Sequence, residues 1–150
     1  MSYYIKMEIK NIVILSDKVE GALEAINELH EPMNLLRNAS SGTKREAGRA
    51  IRECRWYSWV NNPEDGGFDS IVKALKEWNY AIDESEEGDI HISQFTGKKR
   101  GDDKYLYEAI APFVNDGGTI KHIGDDEYMR RYIFNDGRVL KEKGVVVWER

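Results

Sequence analysis

The sequence predicts a single two-layer α+β domain, a mostly antiparallel sheet with about three helices on one side, and three observations carry that expectation. First, residues 117–150 read as a three-stranded meander whose β-rich runs are separated by Gly124-Asp125-Asp126-Glu127 and by Asn135-Asp136-Gly137. An Asn-Asp-Gly turn between such runs is a hairpin signal, because Asp and Gly tolerate the positive φ of tight turns. Second, three segments repeat apolar residues at helical spacing. Third, strand-like runs fall at both ends and in the middle of the chain with helices between them, which suits an antiparallel sheet with one covered face. At 150 residues the chain fits one domain able to bury a sizeable core.

Taken in order, residues 4–15 read as a strand whose alternation changes parity: Ile5, Met7 and Ile9 share one face, while Ile12 and Ile14 continue on the other. One extra residue near Lys10-Asn11, a bulge or bend, returns all five to the core. Asp17 is placed as an N-cap, with Glu20 three residues on, and Val19, Ala22, Leu23, Ile26 and Leu29 form the buried stripe of a helix stopped by Pro32. Residues 37–48 are polar, small and cationic, and read as a flexible loop. A short helix over residues 46–53 is followed by an aromatic-rich strand at residues 55–60, buried on one face and closed by Asn61-Asn62-Pro63. Phe68, Ile71, Val72, Leu75 and Trp78 define a second helix, residues 80–83 and 89–95 a hairpin around an acidic turn, and Leu106, Ala109, Ile110 and Phe113 a third helix that Pro112 kinks or ends. No internal repeat, linker or heptad run is present.

Composition excludes several classes. One cysteine, Cys54, permits no intramolecular disulfide and no Cys-based metal cluster, and fits a reducing cytoplasm. The first residues alternate with charges and form neither a signal peptide nor a membrane span. A net charge of −5 disfavours a broad nucleic-acid footprint, although a local basic patch stays open.

Few residues are arranged for chemistry. His30, His91 and His122 lie far apart without metal-ligand spacing, although His91 and His122 sit on strands that a fold can make neighbours. Cys54 has Arg52 and Arg55 beside it but no adjacent activating His. The acids Asp125, Asp126 and Glu127 lack the twelve-residue calcium-loop pattern and read as a solvated turn. No cofactor motif is recognisable and no cofactor or metal is expected. The candidate ligand residues are Lys98, Lys99 and Arg100, flanked by Gly97 and Gly101 ahead of a helix. A basic tract of Lys44, Arg45, Arg49, Arg52 and Arg55 adds to them if the fold brings the segments together, with Trp56, Tyr57 and Trp59 as stacking partners. The plain alternative is that the cations face water and the tryptophans fill the core.

The run Gly124-Asp125-Asp126-Glu127-Tyr128-Met129-Arg130-Arg131-Tyr132-Ile133-Phe134, followed by Asn135-Asp136-Gly137 and a closing Val-Val-Val-Trp, resembles a pattern of small uncharacterised bacterial and phage proteins, roughly G-E-D-G-x-x-W-R-[YW]-x-F. Residues 109–114, 117–120, 88–90 and 97–99 share the resemblance, which covers about residues 88–150; Glu127 and Arg130 depart from the pattern, standing where it has Gly and Trp. The resemblance implies a compact α+β fold and carries over no catalytic residue.

Two functional readings follow. In the first the chain is a non-catalytic binding protein of bacterial or phage origin, an inhibitor, immunity or counter-defence factor that covers a surface of a partner protein; the acidic balance, small size and surplus of aromatics favour it. In the second it is a nucleotide- or single-stranded nucleic-acid-binding module, or a small hydrolase, using a pocket that unites Lys98, Lys99 or Arg100 with Trp56 or Trp59.

Overall fold

The computed structural model describes residues 4–42, 55–125, 128–145 and 147–149. Strands β1 (Ile5–Lys10) and β2 (Ile12–Ile14) lead through a 3-10 turn, Ser16–Lys18, into helices α1 (Val19–Leu29) and α2 (Pro32–Asn38). Short strands β3 (Ser41–Gly42) and β4 (Arg55–Trp56) precede α3 (Ile71–Glu77), the hairpin β5 (Tyr80–Glu84) and β6 (Ile90–Phe95), and α4 (Asp103–Ile110). A second 3-10 turn, Ala111–Phe113, leads to the meander β7 (Gly118–Gly124), β8 (Met129–Asn135) and β9 (Arg138–Lys143). The sheets are ordered β1-β7-β8-β9, β2-β6-β5 and β3-β4, every pair antiparallel. The mixed α+β class and the C-terminal meander are those expected from the sequence.

The parity change at the first strand has a sharper resolution than a bulge. Asn11 adopts φ +55°, and the chain leaves β7 for β6 at that residue, so β1 and β2 belong to different sheets. Gly118 makes the crossing possible, since a Cβ there would lie 2.5 Å from the Asn11 carbonyl oxygen. Beyond the switch, Val13 exchanges hydrogen bonds with Asn115, to its side-chain oxygen at 2.8 Å and from its backbone amide at 3.1 Å.

One face of the four-stranded sheet carries Ile9, Ile120, Tyr132 and Phe134 and packs on Leu106, Tyr107 and Ile110 of α4. The other presents the cross-strand row Glu8, Lys121, Arg131 and Glu142 to water. Ala22 and Ile26 of α1 and Ala74 and Leu75 of α3 complete the core. Burial of this apolar surface is the main stabilising term, at about 25 cal/mol per Å² removed from water.

Several local expectations change. Asp17 lies inside the first 3-10 turn, which makes Lys18 the N-cap of α1, so Asp17 caps nothing. Pro32 does not merely stop α1. It occupies the first turn of α2, where its missing amide costs no hydrogen bond. Within the stretch read as a flexible loop, residues 37–38 are helical, Ala39 is buried and Ser41–Gly42 pairs with Arg55–Trp56; residues 43–48 lie outside the described residues, as does the helix expected over 46–53. The aromatic segment is strand only at Arg55–Trp56, because Asp102 captures the Ser58 amide and the chain turns, with Val60 N–H donating to the Tyr57 carbonyl. The last strand ends at Lys143, short of the closing Val-Val-Val-Trp run, since β8 begins at Met129, whose carbonyl accepts the Gly144 amide, and offers no partner beyond it. Val145, Val147 and Trp148 are exposed beyond it.

Candidate functional site

Three polypeptide segments meet at the N-terminal end of α4. Asp102 draws them together: its Oδ2 accepts from the Ser40 amide (3.2 Å), the Ser40 hydroxyl (2.9 Å) and the Ser58 amide (2.9 Å). The Ser40 and Ser41 hydroxyls also reach the Ser58 hydroxyl, at 2.8 and 2.9 Å. Gly101 fits because a Cβ there would sit 2.6 Å from the Ser58 carbonyl oxygen. The loop 97–101 is thereby fixed against the turn that displays Trp59.

Trp59 is built outward. Its backbone takes φ +70°, a conformation disfavoured for a bulky residue, and it remains 59 % exposed. The Asn79 amide donates to its carbonyl at 3.1 Å, its own indole N–H donates to the Arg100 carbonyl at 3.2 Å, and Lys99 Nζ stands 5.4 Å from its ring centroid. Lys99 also lies 6.0 Å from the ring of Tyr4, another exposed aromatic, and the Tyr4 strand end bridges Lys99 while Ile5 N–H donates to the Lys98 carbonyl. Among the described residues, Trp59, Asn79, Gly97, Lys98 and Lys99 line a concavity of about 380 Å³.

Of the residues singled out from the sequence, Lys98, Lys99 and Trp59 therefore come together. Arg100 adjoins them but turns its guanidinium onto Tyr128, 4.2 Å from the ring centroid. Arg130 approaches the same ring at 4.5 Å, and neither Tyr128 nor Arg130 was marked by any spacing in the sequence. Trp56 is 37 % exposed and does not line the concavity. Arg55 is engaged with the β3–β4 ribbon, donating to the Ala39 carbonyl at 3.2 Å. Arg52, with Lys44, Arg45, Arg49 and Cys54, lies outside the described residues. Aromatic–cation contact left almost no trace in sequence order, since Tyr4, Trp59, Lys99 and Tyr128 are assembled by sheet register and by Asp102.

Beneath this surface runs a buried polar chain. Asp103 Oδ1 is 2.8 Å from the Tyr80 hydroxyl, which is 2.6 Å from the Tyr107 hydroxyl, itself 2.7 Å from His122 Nε2. With Asp103 ionised, one direction satisfies every group: His122 Nε2–H donates to Tyr107, Tyr107 to Tyr80 and Tyr80 to Asp103, whose other oxygen accepts the Gly101 amide at 3.0 Å. Burial pushes the Asp103 carboxyl up and drives both tyrosines well above their ordinary range. Burial, aided by the charge of Arg100, lowers His122 to about 4. Tyr132, beside His122, is raised to about 12, chiefly by burial. These groups are spent on one another beneath the surface and anchor α4 to the two larger sheets.

His91 and His122 are not neighbours: His91 pairs with Val13 and Asp83 in the three-stranded sheet, His122 with Met7 and Arg130 in the four-stranded one. His30, at the C-terminal end of α1, is buried among Tyr57, Phe68 and Trp78, its Nε2 accepting from the Trp78 indole at 3.2 Å and its Nδ1 facing Asn62 at 2.8 Å. Among the described residues no three His, Cys, Asp or Glu side chains are grouped to hold a metal ion, and no helix is long and apolar enough to cross a membrane. Comparison of the chain with protein-family models, with curated proteins and with solved structures finds no match to any of them.

Proposed function

We propose that the chain is a non-catalytic binding protein that acts by covering a surface of a partner protein, with Trp59 at the centre of the contact. The observation that carries this reading is the display of Trp59: a bulky residue is held exposed, at positive φ, by Asn79, Arg100 and Lys99 rather than being packed inside. Backbone strain of this kind costs about 1–3 kcal/mol and persists where the surroundings enforce it. Tyr4 meets the same Lys99, and Arg100 joins the Trp59 turn to Tyr128 and Arg130, side-chain types that dominate binding energy in protein interfaces. Small size, an acidic balance and a surplus of aromatic residues favour an inhibitory, immunity or counter-defence role as the specific form of the reading.

A photoreactive benzoylphenylalanine in place of Tyr4 tests it, with the same group in place of Leu140, exposed on β9 toward the opposite end of the sheet, as control. One discrete protein adduct from position 4, competed by unlabelled protein and absent from position 140, is expected. With that partner purified, Trp59→Ala should raise Kd by at least about 30-fold, the loss of roughly 2 kcal/mol at a central tryptophan. Equal labelling from both positions, or an unchanged Kd, refutes the proposal. A second reading, binding of a nucleotide or a short single strand, is favoured by the concavity that joins Trp59 to Lys98 and Lys99. It requires ligand-dependent quenching of Trp59 that Lys98→Ala abolishes.

A further inference from the structure

We infer that Arg100, Tyr128 and Arg130 form an oxyanion-binding site, suited to the dianion of a phosphate group, at the rim of the displayed aromatic surface. Both guanidinium carbons lie within 4.5 Å of the centroid of one ring, that of Tyr128. Guanidinium groups stay charged at every physiological pH and present flat, paired donors that match phosphate geometry. Two such charges held at one ring repel each other, and an anion within reach of both relieves that repulsion. The described residues place no carboxylate within ion-pair distance of either arginine, whereas nearby Arg131 is paired with Glu142.

The site is held in place without a ligand. Tyr128 is tied into the β7–β8 connection, its carbonyl accepting the Gly124 amide at 2.8 Å and its amide donating to the Asp125 carbonyl at 3.3 Å. Arg130 is anchored by a 2.8 Å bond from Nη1 to the Met129 carbonyl, which leaves its remaining N–H groups to a ligand. Arg100 projects from a backbone clamped by the Trp59 indole and by the Gly101 amide on Asp103. On its other side Arg130 opens onto a concavity of about 300 Å³ whose described lining also includes Lys121 and Lys143, beside the Arg131–Glu142 ion pair. A chain of net charge −5 thus places a cluster of cations on one rim.

The phosphate dianion is the shared chemistry, and it can arrive free or on a nucleoside. Titration calorimetry with inorganic phosphate and with adenosine 5′-monophosphate, at pH 7.5 and low salt, separates the two sources. Saturable phosphate binding is expected, weakened at least about tenfold by Arg130→Gln and by Arg100→Gln, since each removes one charged donor pair. Arg138→Gln, which removes the same formal charge at the far end of β9, should leave it unchanged. Unaltered thermal unfolding of the variants excludes a folding defect, and Arg100→Lys, which keeps the charge but loses the planar stack, should recover only part of the affinity. Tighter binding of the nucleotide than of phosphate, lost in the same two variants, supports the site and assigns the nucleoside-borne source; equal binding supports it and assigns the free anion. No saturable binding of phosphate by the wild type, or binding weakened equally by Arg138→Gln, overturns the inference whatever the fate of the partner-protein reading.

Discussion

Replacing His122 by Gln should change the acid sensitivity of the fold more than its stability at neutral pH. His122 is 2 % exposed, bonded to Tyr107 and flanked by Tyr132, with Arg100 near enough to oppose a second positive charge. Its pKa falls from 6.5 in the unfolded chain to about 4 in the fold. The folded state therefore binds fewer protons than the unfolded state throughout that window. The contribution of the neutral imidazole is fully present above pH 6.5, is lost progressively as the pH falls, and is gone below about 4. At 1.36 kcal/mol per pKa unit the loss is about 3 kcal/mol. His30, also lowered by burial, adds loss of the same sign, while Asp103, raised by burial, adds the opposite. Comparing wild type with His122→Gln cancels both. Urea unfolding at intervals from pH 7.5 to 4 should show the stability difference shifting by about 3 kcal/mol in favour of the variant as the pH drops. Parallel curves across that range would mean that His122 titrates alike in both states, and the buried chain would not be as described.

Three further outcomes follow from packing and backbone geometry. Gly137→Val should destabilise the fold by about 1–3 kcal/mol in thermal unfolding, because Asp136 and Gly137 both hold positive φ (54° and 71°) in the two-residue β8–β9 turn and valine is strained there although the space is open. Asp102→Ala should cost about 2 kcal/mol or more in the same assay, since it orphans the Ser40 and Ser58 amides, and should loosen the Trp59 turn, visible as a red-shifted tryptophan emission. Trp148→Ala, at 84 % exposure, should leave stability within about 0.5 kcal/mol of wild type, whereas Trp78→Ala, fully buried against His30 and Tyr57, should lose about 3–5 kcal/mol.

The parts of the fold legible in the sequence are those whose cause is local. The β8–β9 hairpin is encoded by Asp136-Gly137, the β5–β6 hairpin by its turn, and the ends of α1 and α4 by their prolines. Elements decided by distant partners leave no such local mark. The aromatic segment stops being strand at Ser58 because Asp102, 44 residues away, takes its amide. Asn11 changes sheets because Gly118 leaves room for it. The candidate site divides the same way: consecutive Lys98, Lys99 and Arg100 announce themselves, while Tyr4, Tyr128 and Arg130 join them only through strand register.

The sheet switch at Asn11 makes residues 5–14 the joint between the two larger sheets. They pair with residues 119–124 on one side and with 90–92 on the other, so their docking closes loops of roughly 75 to 120 residues. Contacts so remote in sequence form late and slow the search for the native state. Until they form, β6 and β7 both present open edges, and whatever peels this segment away exposes both again at once. The weak point against aggregation therefore lies at this seam, and a refolding chain is most vulnerable in the interval before the seam closes.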